Sequence, residues 1–539
     1  LNKNQQWRTL SYNGPAIPPP YEPKKLKLWY KGKPYELSPT AEEMAYHFAK
    51  KRETVYFNDS LFKKNFMLDF VNFLPQELKN ANLNEIGFEE FFDYINREKM
   101  MKESLSRDQK RLLSQQRKEL REMLKKKHGY AIIDGNTIEV GNWMIEPPGI
   151  FVGRGSHPLR GRWKPRITQS DVELNLGEDA PIPPGDWKKI VHDHSSLWLA
   201  RWQDKLNGKM KYVWPHDSSY LLQERNKEKY DKAMRLSNQI EKIRKVIKSG
   251  MNSKEEKIRK IATVCYLIDV LGMRVGDEKD EDEADTVGAT TLRVEHIKIN
   301  DNRIDFDFLG KDSVRWEKSI QNPDPLLRQN LEQFMKGKSP GDLVFDKINS
   351  HEVNKFLSTI SKDITAKSFR TYHATKVVEG YLKSLDSKIT ECDDFVKIYY
   401  AKLANLEAAK FCNHKRTPPK NWEESLRKKE EKLHQLQGVV PKTDKQRQSI
   451  DKRLLKLKLT IDLSRQTKDY NLNTSLKNYI DPRIYKSWCD AIGLDWKKLY
   501  TNTLQRKFAW VSKSRFKWEP LSNPVQSVTE QIIISNRYK

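Results

Sequence analysis

The sequence predicts an α+β fold, predominantly helical and divided among several domains, and three observations carry that expectation. Its 539 residues exceed what one ordinary core holds, at about 150 residues per domain. From about 221 to 420 the apolar residues recur mostly at helical spacing, whereas from about 131 to 214 short runs of alternating β-formers with turn glycines predict small antiparallel strands. Residues 421 to 470 differ from both: they are dense in lysine, glutamate and leucine at a period that predicts two packed helices.

Taken in order, the proline clusters "GPAIPPPYEP" (14 to 23), "EPPGIFVGRGSHP" (146 to 158) and "APIPPGDW" (180 to 187) read as loops or extended connectors, because proline fixes φ and lacks an amide donor. Between the first two, residues 106 to 130 predict a long basic helix with Ser106 as N-cap, Leu112, Leu113, Leu120 and Leu124 as a partial apolar face, and Gly129 as the stop. "YAIIDGNTIEV" and "KMKYVW" supply strands on either side of the last two proline clusters. The run "IATVCYLIDVLGM" (261 to 273) reads as a buried helix. "RIDFDFLGKDS" (303 to 313) alternates Ile304, Phe306 and Phe308 with polar groups and reads as a strand ending in a Gly-Lys turn, with Lys311 at a hairpin tip. Trp422, Leu426, Leu433 and Leu436 then share one helical side; after "GVVPKTD", Ile450, Leu454, Leu457 and Ile461 recur at i, i+4, i+7 and i+11. This pattern predicts an antiparallel helical hairpin. "LKLKLTIDL" (455 to 463) also alternates with a period of two, as a half-buried strand does, but the charged flanks and longer register favour helix.

Lysine and arginine number 99 against 73 aspartates and glutamates, a net charge of +26, so the summed field draws in a polyanion. Nucleic acid is the natural partner. A membrane span is not expected, since the longest apolar run contains Asp269 and falls short of about 20 residues. The 4 cysteines form no C-x-x-C pair, which argues against a thiolate zinc site and a disulfide-stapled secreted domain and for a reducing compartment. The opening "LNKNQQWRTL" lacks an initiator methionine and a signal pattern, and is read as a fragment whose targeting tail has been removed. No phosphate-binding G-x-x-x-x-G-K-[ST] loop is present. The acid run 277 to 285, with Asp280, Asp282 and Asp285, reads as a solvated loop rather than a magnesium site, and His192 and His194 in "HDH" read as surface residues rather than metal ligands. No cofactor and no metal are expected.

One tyrosine stands apart. Tyr479, in "TSLKNYIDPR", comes after the predicted hairpin. A phenol with a pKa of about 10 is a poor nucleophile unless cations stabilise the phenolate or a base takes its proton. Attack on a phosphodiester suits it, provided guanidinium forks bind the nonbridging oxygens, a further donor such as imidazole assists, and an acid protonates the leaving oxygen. Arg274 in "LGMRVGDEKD", Lys311 in "FDFLGKDSVRW", Arg370 in "TAKSFRTYHAT" and His414 in "FCNHKRTPPK" meet those requirements. Alone, each residue type is ordinarily structural or solvated; their joint order with Tyr479 is specific.

This set closely resembles eukaryotic type IB DNA topoisomerase, and the strings "PPYEP", "IEPPGIFVGRGSHP", "ADTVGATTLRVEHI" and "KFAWV" agree, so the likeness runs nearly end to end. The resemblance implies that Tyr479 attacks one strand and is joined to a 3′ phosphate. Arg274 and Arg370 would grip the nonbridging oxygens, His414 would donate to one, and Lys311 would protonate the departing 5′ oxygen. It also implies DNA contacts by Arg154 and His157 on a glycine-flanked lip, by Lys164, Lys211 and Lys367, and by Asp312, Thr474 and Asn478 near the active site. A two-lobed clamp around supercoiled duplex DNA, monomeric, nuclear, independent of ATP and metal and weak in sequence preference, is implied as well. Its expected parts are 1 to 23 with 110 to 218 as cap-lobe core, 24 to 109 as an inserted subdomain, 219 to 420 as catalytic subdomain, 421 to 470 as linker and 471 to 539 as the tyrosine-bearing domain. Departures from the family pattern are Pro165 in place of a basic residue, an acid run one residue short after Arg274, a permuted "SLKN" and a shorter hairpin. Two rival readings are a tyrosine recombinase, which usually carries His-x-x-Arg where Lys367 precedes Arg370, and a non-catalytic architectural DNA-binding protein.

Overall fold

The structure, a computed structural model, describes residues 5–277 and 287–519. It is mixed α+β, about half helical, with several sheets. The described residues form two compact units, one of residues 5–222 and one of residues 223–277 with 287–519.

The first unit holds a seven-stranded sheet. Its strands are antiparallel, as the alternating pattern predicts, except that Lys189–Val191 runs parallel to Val172–Asn175. Trp7, Ile133, Val140, Leu174 and Val213 are buried in its core. A separate aromatic core, with Phe48, Phe62, Phe66, Phe70 and Phe91 fully buried, lies within residues 26–163. The basic helix runs Arg107–His128: Ser106 and Gln109 form a reciprocal capping box and Gly129 ends it. Its apolar face departs from expectation. Leu112, Leu113 and Leu120 are exposed, and Leu124 alone of the four leans on the sheet core. Periodicity identifies a helix face, not what covers it. The two histidines of "HDH" are anchored to backbone: His192 Nδ1 pairs with the Leu176 carbonyl (2.8 Å) and His194 Nδ1 with that of Trp7 (3.0 Å), the His194 ring stacking on Trp7.

In the second unit, one core gathers the helices Glu256–Leu271, Pro325–Met335 and Ser350–Ile360 with a three-stranded sheet. The predicted buried helix is the first of these. Strand Arg303–Gly310 pairs with Val314–Gln321, Phe308 stacking on Trp316 at 4.9 Å, and Lys311 stands at the tip between them as the alternation predicts. Asp280, Asp282 and Asp285 lie outside the described residues.

A second core joins Ala366–Lys383, Asp394–Phe411 and Pro482–Ala491. The hairpin is helical throughout, Trp422–Gln437 and Asp444–Gln466. The strand-like alternation of residues 455 to 463 has a simple origin. Leu455, Leu459 and Leu463, at i, i+4 and i+8, pack into the second core, while Leu454, Leu457 and Ile461 lie on the opposite side of the same helix. Two apolar stripes on one helix mimic a period of two.

Candidate active site

Tyr479 ends the short Leu472–Asn478 helix, and backbone bonds hold it on both sides. Its amide donates to Ser475 (2.9 Å), and its carbonyl accepts from the Thr375 hydroxyl (3.3 Å), which in turn accepts from the Asp481 amide (3.0 Å). Arg274 follows the Glu256–Leu271 helix after Gly272, a C-cap at φ +67° where an added Cβ would lie 2.6 Å from the Phe411 ring. The next residues are pinned by the Ala289 and Thr290 amides, which donate to Arg274 and Val275 at 2.8 Å. Gly276 and Gly288 meet backbone to backbone there, and a Cβ on Gly276 would approach Gly288 Cα to 2.7 Å. Arg370 lies on Ala366–Lys383, one turn inside its N-terminus, and His414 follows Asp394–Phe411, its amide bonded to Ala409 at 2.8 Å.

These four side chains converge. Arg274 Nη1 donates to the Tyr479 phenol oxygen at 3.1 Å. The Arg370 guanidinium sits 5.0 Å from the Tyr479 ring centroid, and the His414 ring 5.2 Å from it. Tyr479, Arg370 and His414 are 5%, 4% and 6% exposed, so charge here acts with little water to screen it. Burial raises the phenol pKa, but the guanidiniums of Arg370 and Arg274 outweigh burial and bring it below its ordinary value. Burial first, then the same two cations, press the His414 imidazole down to about 3, so the ring is neutral at physiological pH.

Arg370 donates to the carbonyls of Gly272 (2.5 Å) and Cys412 (3.0 Å), and its Nη2 lies 3.5 Å from His414 Nε2. A guanidinium only donates, so in this arrangement the neutral imidazole carries its proton on Nδ1. Among the described residues, His414 Nδ1 and Arg370 Nε are buried without a hydrogen-bond partner. Buried donors are as a rule satisfied, and an oxyanion is a ligand that satisfies two at once.

Lys311 is exposed at the hairpin tip, outside this contact set, next to Asp312 at φ 68°. Lys367 is exposed on the first turn of the Arg370 helix, and Thr474 and Asn478 lie on the helix that ends at Tyr479, Asn478 Nδ2 donating to the Thr474 carbonyl (3.2 Å). In the first unit, Arg154 is exposed on a loop between Gly153 and Gly155, both at positive φ, and His157 packs edge-on against Phe151 while its Nδ1 accepts from the Leu159 amide (3.1 Å). Lys164 pairs with Glu146 and approaches the buried Asp204 (3.6 Å), which Lys211 also faces at 4.0 Å.

Three family models match the chain: the DNA binding fragment of eukaryotic DNA topoisomerase I over residues 5–215, its catalytic core over 218–447, and a C-terminal topoisomerase domain over 451–520. The chain is 35% identical over 548 residues to DNA topoisomerase 1 of Homo sapiens, covering 94% of itself and 70% of that protein. The chain belongs to the eukaryotic type IB DNA topoisomerase I family. DNA topoisomerase 1 of Drosophila melanogaster is 36% identical over 530 residues, and DNA topoisomerase 1 beta of Arabidopsis thaliana 35% over 543. The chain spans 54% and 58% of their respective lengths. The family is one of isomerases that relax DNA by strand cleavage and religation, and membership in it separates the chain from the tyrosine recombinases. Among the described residues no helix is long and apolar enough to cross a membrane.

Residues that the sequence alone did not reveal act through the backbone. Thr375 locks the Tyr479 turn, and Lys229 Nζ donates to the Asn478 carbonyl at 3.0 Å. The isolated glycines Gly272, Gly276 and Gly288 around "MRV" and "VGAT" are the signal that could have shown a close backbone crossing there.

Proposed function

We propose that this chain cleaves one strand of duplex DNA through Tyr479, lets the duplex swivel, and reseals it. The phenol gives its proton to water, its oxygen forms a bond to phosphorus, and the bond from phosphorus to the 5′ oxygen breaks as Lys311 protonates that oxygen. The 3′ end is then a phosphotyrosyl diester and the other end a free 5′ hydroxyl. Arg274, Arg370 and His414 bind the nonbridging oxygens, where negative charge accumulates. Because one phosphodiester replaces another, reversal reseals the strand without ATP, and the cations supply the charge a metal would. Rotation in between relaxes supercoils of either sign.

The observation that carries this reading is the Arg274 bond to the Tyr479 oxygen at 3.1 Å inside a pocket where Arg370 Nε and His414 Nδ1 have no protein partner. Arg154, His157, Lys164, Lys211, Asp312, Lys367, Thr474 and Asn478 are assigned to DNA contact. On that assignment, phosphate replaces Asp204 as the counter-ion of Lys164 and Lys211. A two-lobed clamp, a monomeric enzyme with weak sequence preference and a nuclear location belong to the same proposal and rest on family membership. So do the five parts: 1–23 with 110–218, 24–109, 219–420, 421–470 and 471–539. The separate aromatic core is drawn mainly from residues 26–91, inside the proposed inserted subdomain, with Ile150 and Trp163 joining it from the 110–218 part.

The test is supercoiled plasmid incubated with chelator and no nucleotide, then detergent. Relaxation with protein trapped covalently on DNA is expected, and Tyr479→Phe should bind DNA without nicking it. Relaxation by that variant at the normal rate would remove the assignment.

A further inference from the structure

The pocket hangs on two helix ends, and a cation that the proposed chemistry does not use holds both. Lys318, on strand Val314–Gln321, donates to the carbonyls of Leu271 (2.8 Å) and Phe411 (2.5 Å). Leu271 is the last residue of the helix leading into Arg274, and Phe411 the last of the helix leading into His414. Arg370 takes the very next carbonyl of each, Gly272 and Cys412. Carbonyls at a helix end have no intrahelical donor and carry partial negative charge, so one ammonium supplies what two ends lack. The Phe411 ring closes the gap, 4.7 Å from the Lys318 ammonium and 5.1 Å from the His373 ring, and Gly272 leaves room for it.

The same strand is one side of the hairpin that carries Lys311. Its register is fixed by pairing, Lys318 opposite the buried Phe306 and Val314 opposite Gly310 at the tip. A second tie reaches it from the His414 segment: Asn413 Nδ2 donates to the Arg315 carbonyl at 3.1 Å. A capping lysine with no further role would touch one helix end and belong to a strand leading nowhere. This one spans both ends and stands seven residues from the tip lysine.

We propose that Lys318 is a positioning residue for strand cleavage, fixing the Lys311 hairpin against the two helix ends that present Arg274 and His414. The inference rests on the cleavage reading above. Burial, with help from Arg370, lowers its ammonium pKa to about 8, so it remains mostly charged at neutral pH.

Single-turnover cleavage by wild type, Lys318→Met and Lys318→Arg tests it, on duplexes with either oxygen or sulfur bridging to the 5′ side of the cleaved phosphate, alongside DNA affinity. Lys318→Met should cleave the oxygen substrate about 100-fold more slowly, the scale of an ångström misplacement, at unchanged DNA affinity. Sulfur leaves without a proton, so on that substrate the loss should shrink to about tenfold or less. Lys318→Arg, which keeps the donors, should restore most of the rate. Lys318→Met at the wild-type rate, or a loss equal on both substrates and not restored by arginine, overturns the proposal. If the methionine variant does not fold, Lys318→Gln, shorter and uncharged with two N–H donors kept, carries the same comparison. Wild type that traps no covalent complex on either substrate sinks the cleavage reading itself, a result distinct from any failure of Lys318.

Discussion

In the Tyr479 pocket, Arg370 and His414 are almost fully buried and wedged between helix ends; at the hairpin tip, Lys311 is exposed and its neighbours Asp312 and Ser313 sit at φ 68° and 56°. On the proposed cleavage, the contrast reflects what each charge would be for. A cation meant to meet charge building on phosphate oxygens works best fixed and dry, because it need not reorganise as the reaction proceeds. On the proposed reaction, the donor must reach the leaving oxygen of the DNA and take its proton back on resealing, which favours an exposed residue on a short turn.

Arg370 offers the sharpest way to break the comparison. Arg370→Gln should lower single-turnover cleavage about 1000-fold. It should also cost about 1–3 kcal/mol of folding stability in chemical denaturation, since buried acceptors on Gly272 and Cys412 lose their donor. Arg274→Gln should match the first loss with much less of the second, because Arg274 is half-buried. At the tip, Lys311→Ala should slow cleavage about 100-fold, with most of the rate regained on the 5′-sulfur substrate and stability within about 0.5 kcal/mol of wild type. A large stability loss there would erase the distinction between the two regions. Gly272→Ala forces a side chain to φ +67° against Phe411 and should lower cleavage about tenfold by moving Arg274, with a stability cost of about 1–3 kcal/mol. The last effect is in pH. The His414 pKa is about 3 in the pocket against about 6.5 in the unfolded chain, so below pH 6.5 the unfolded state binds a proton that the native state refuses. Stability should fall as pH drops from about 6.5 toward 3, and His414→Gln should flatten that slope in denaturation midpoints at pH 7 and 5.

Local chemistry explains what the sequence made legible. The Ser106 N-cap, the Gly129 stop and the Lys311 tip are written in neighbouring residues and appear where expected. Arg274, Arg370, His414 and Tyr479 were found through motif strings, and the structure brings them into contact. Lys318 left no trace, because its partners are carbonyls, which every residue has. The exposed leucines of Arg107–His128 and the two-striped helix were misleading or ambiguous for a related reason: spacing tells which side chains share a face, and packing decides which face is covered.

The double striping of Asp444–Gln466 constrains how this hairpin can lengthen or shorten. Each added residue rotates the downstream part of the helix by about 100°, so one insertion between Leu455 and Leu463 would swing both seams out of phase together. Seven residues, close to two full turns, restore the phase within about 20°. Size variation should therefore come in roughly heptad steps near the body, and in any increment at the far turn around residues 438 to 443, where neither seam reaches.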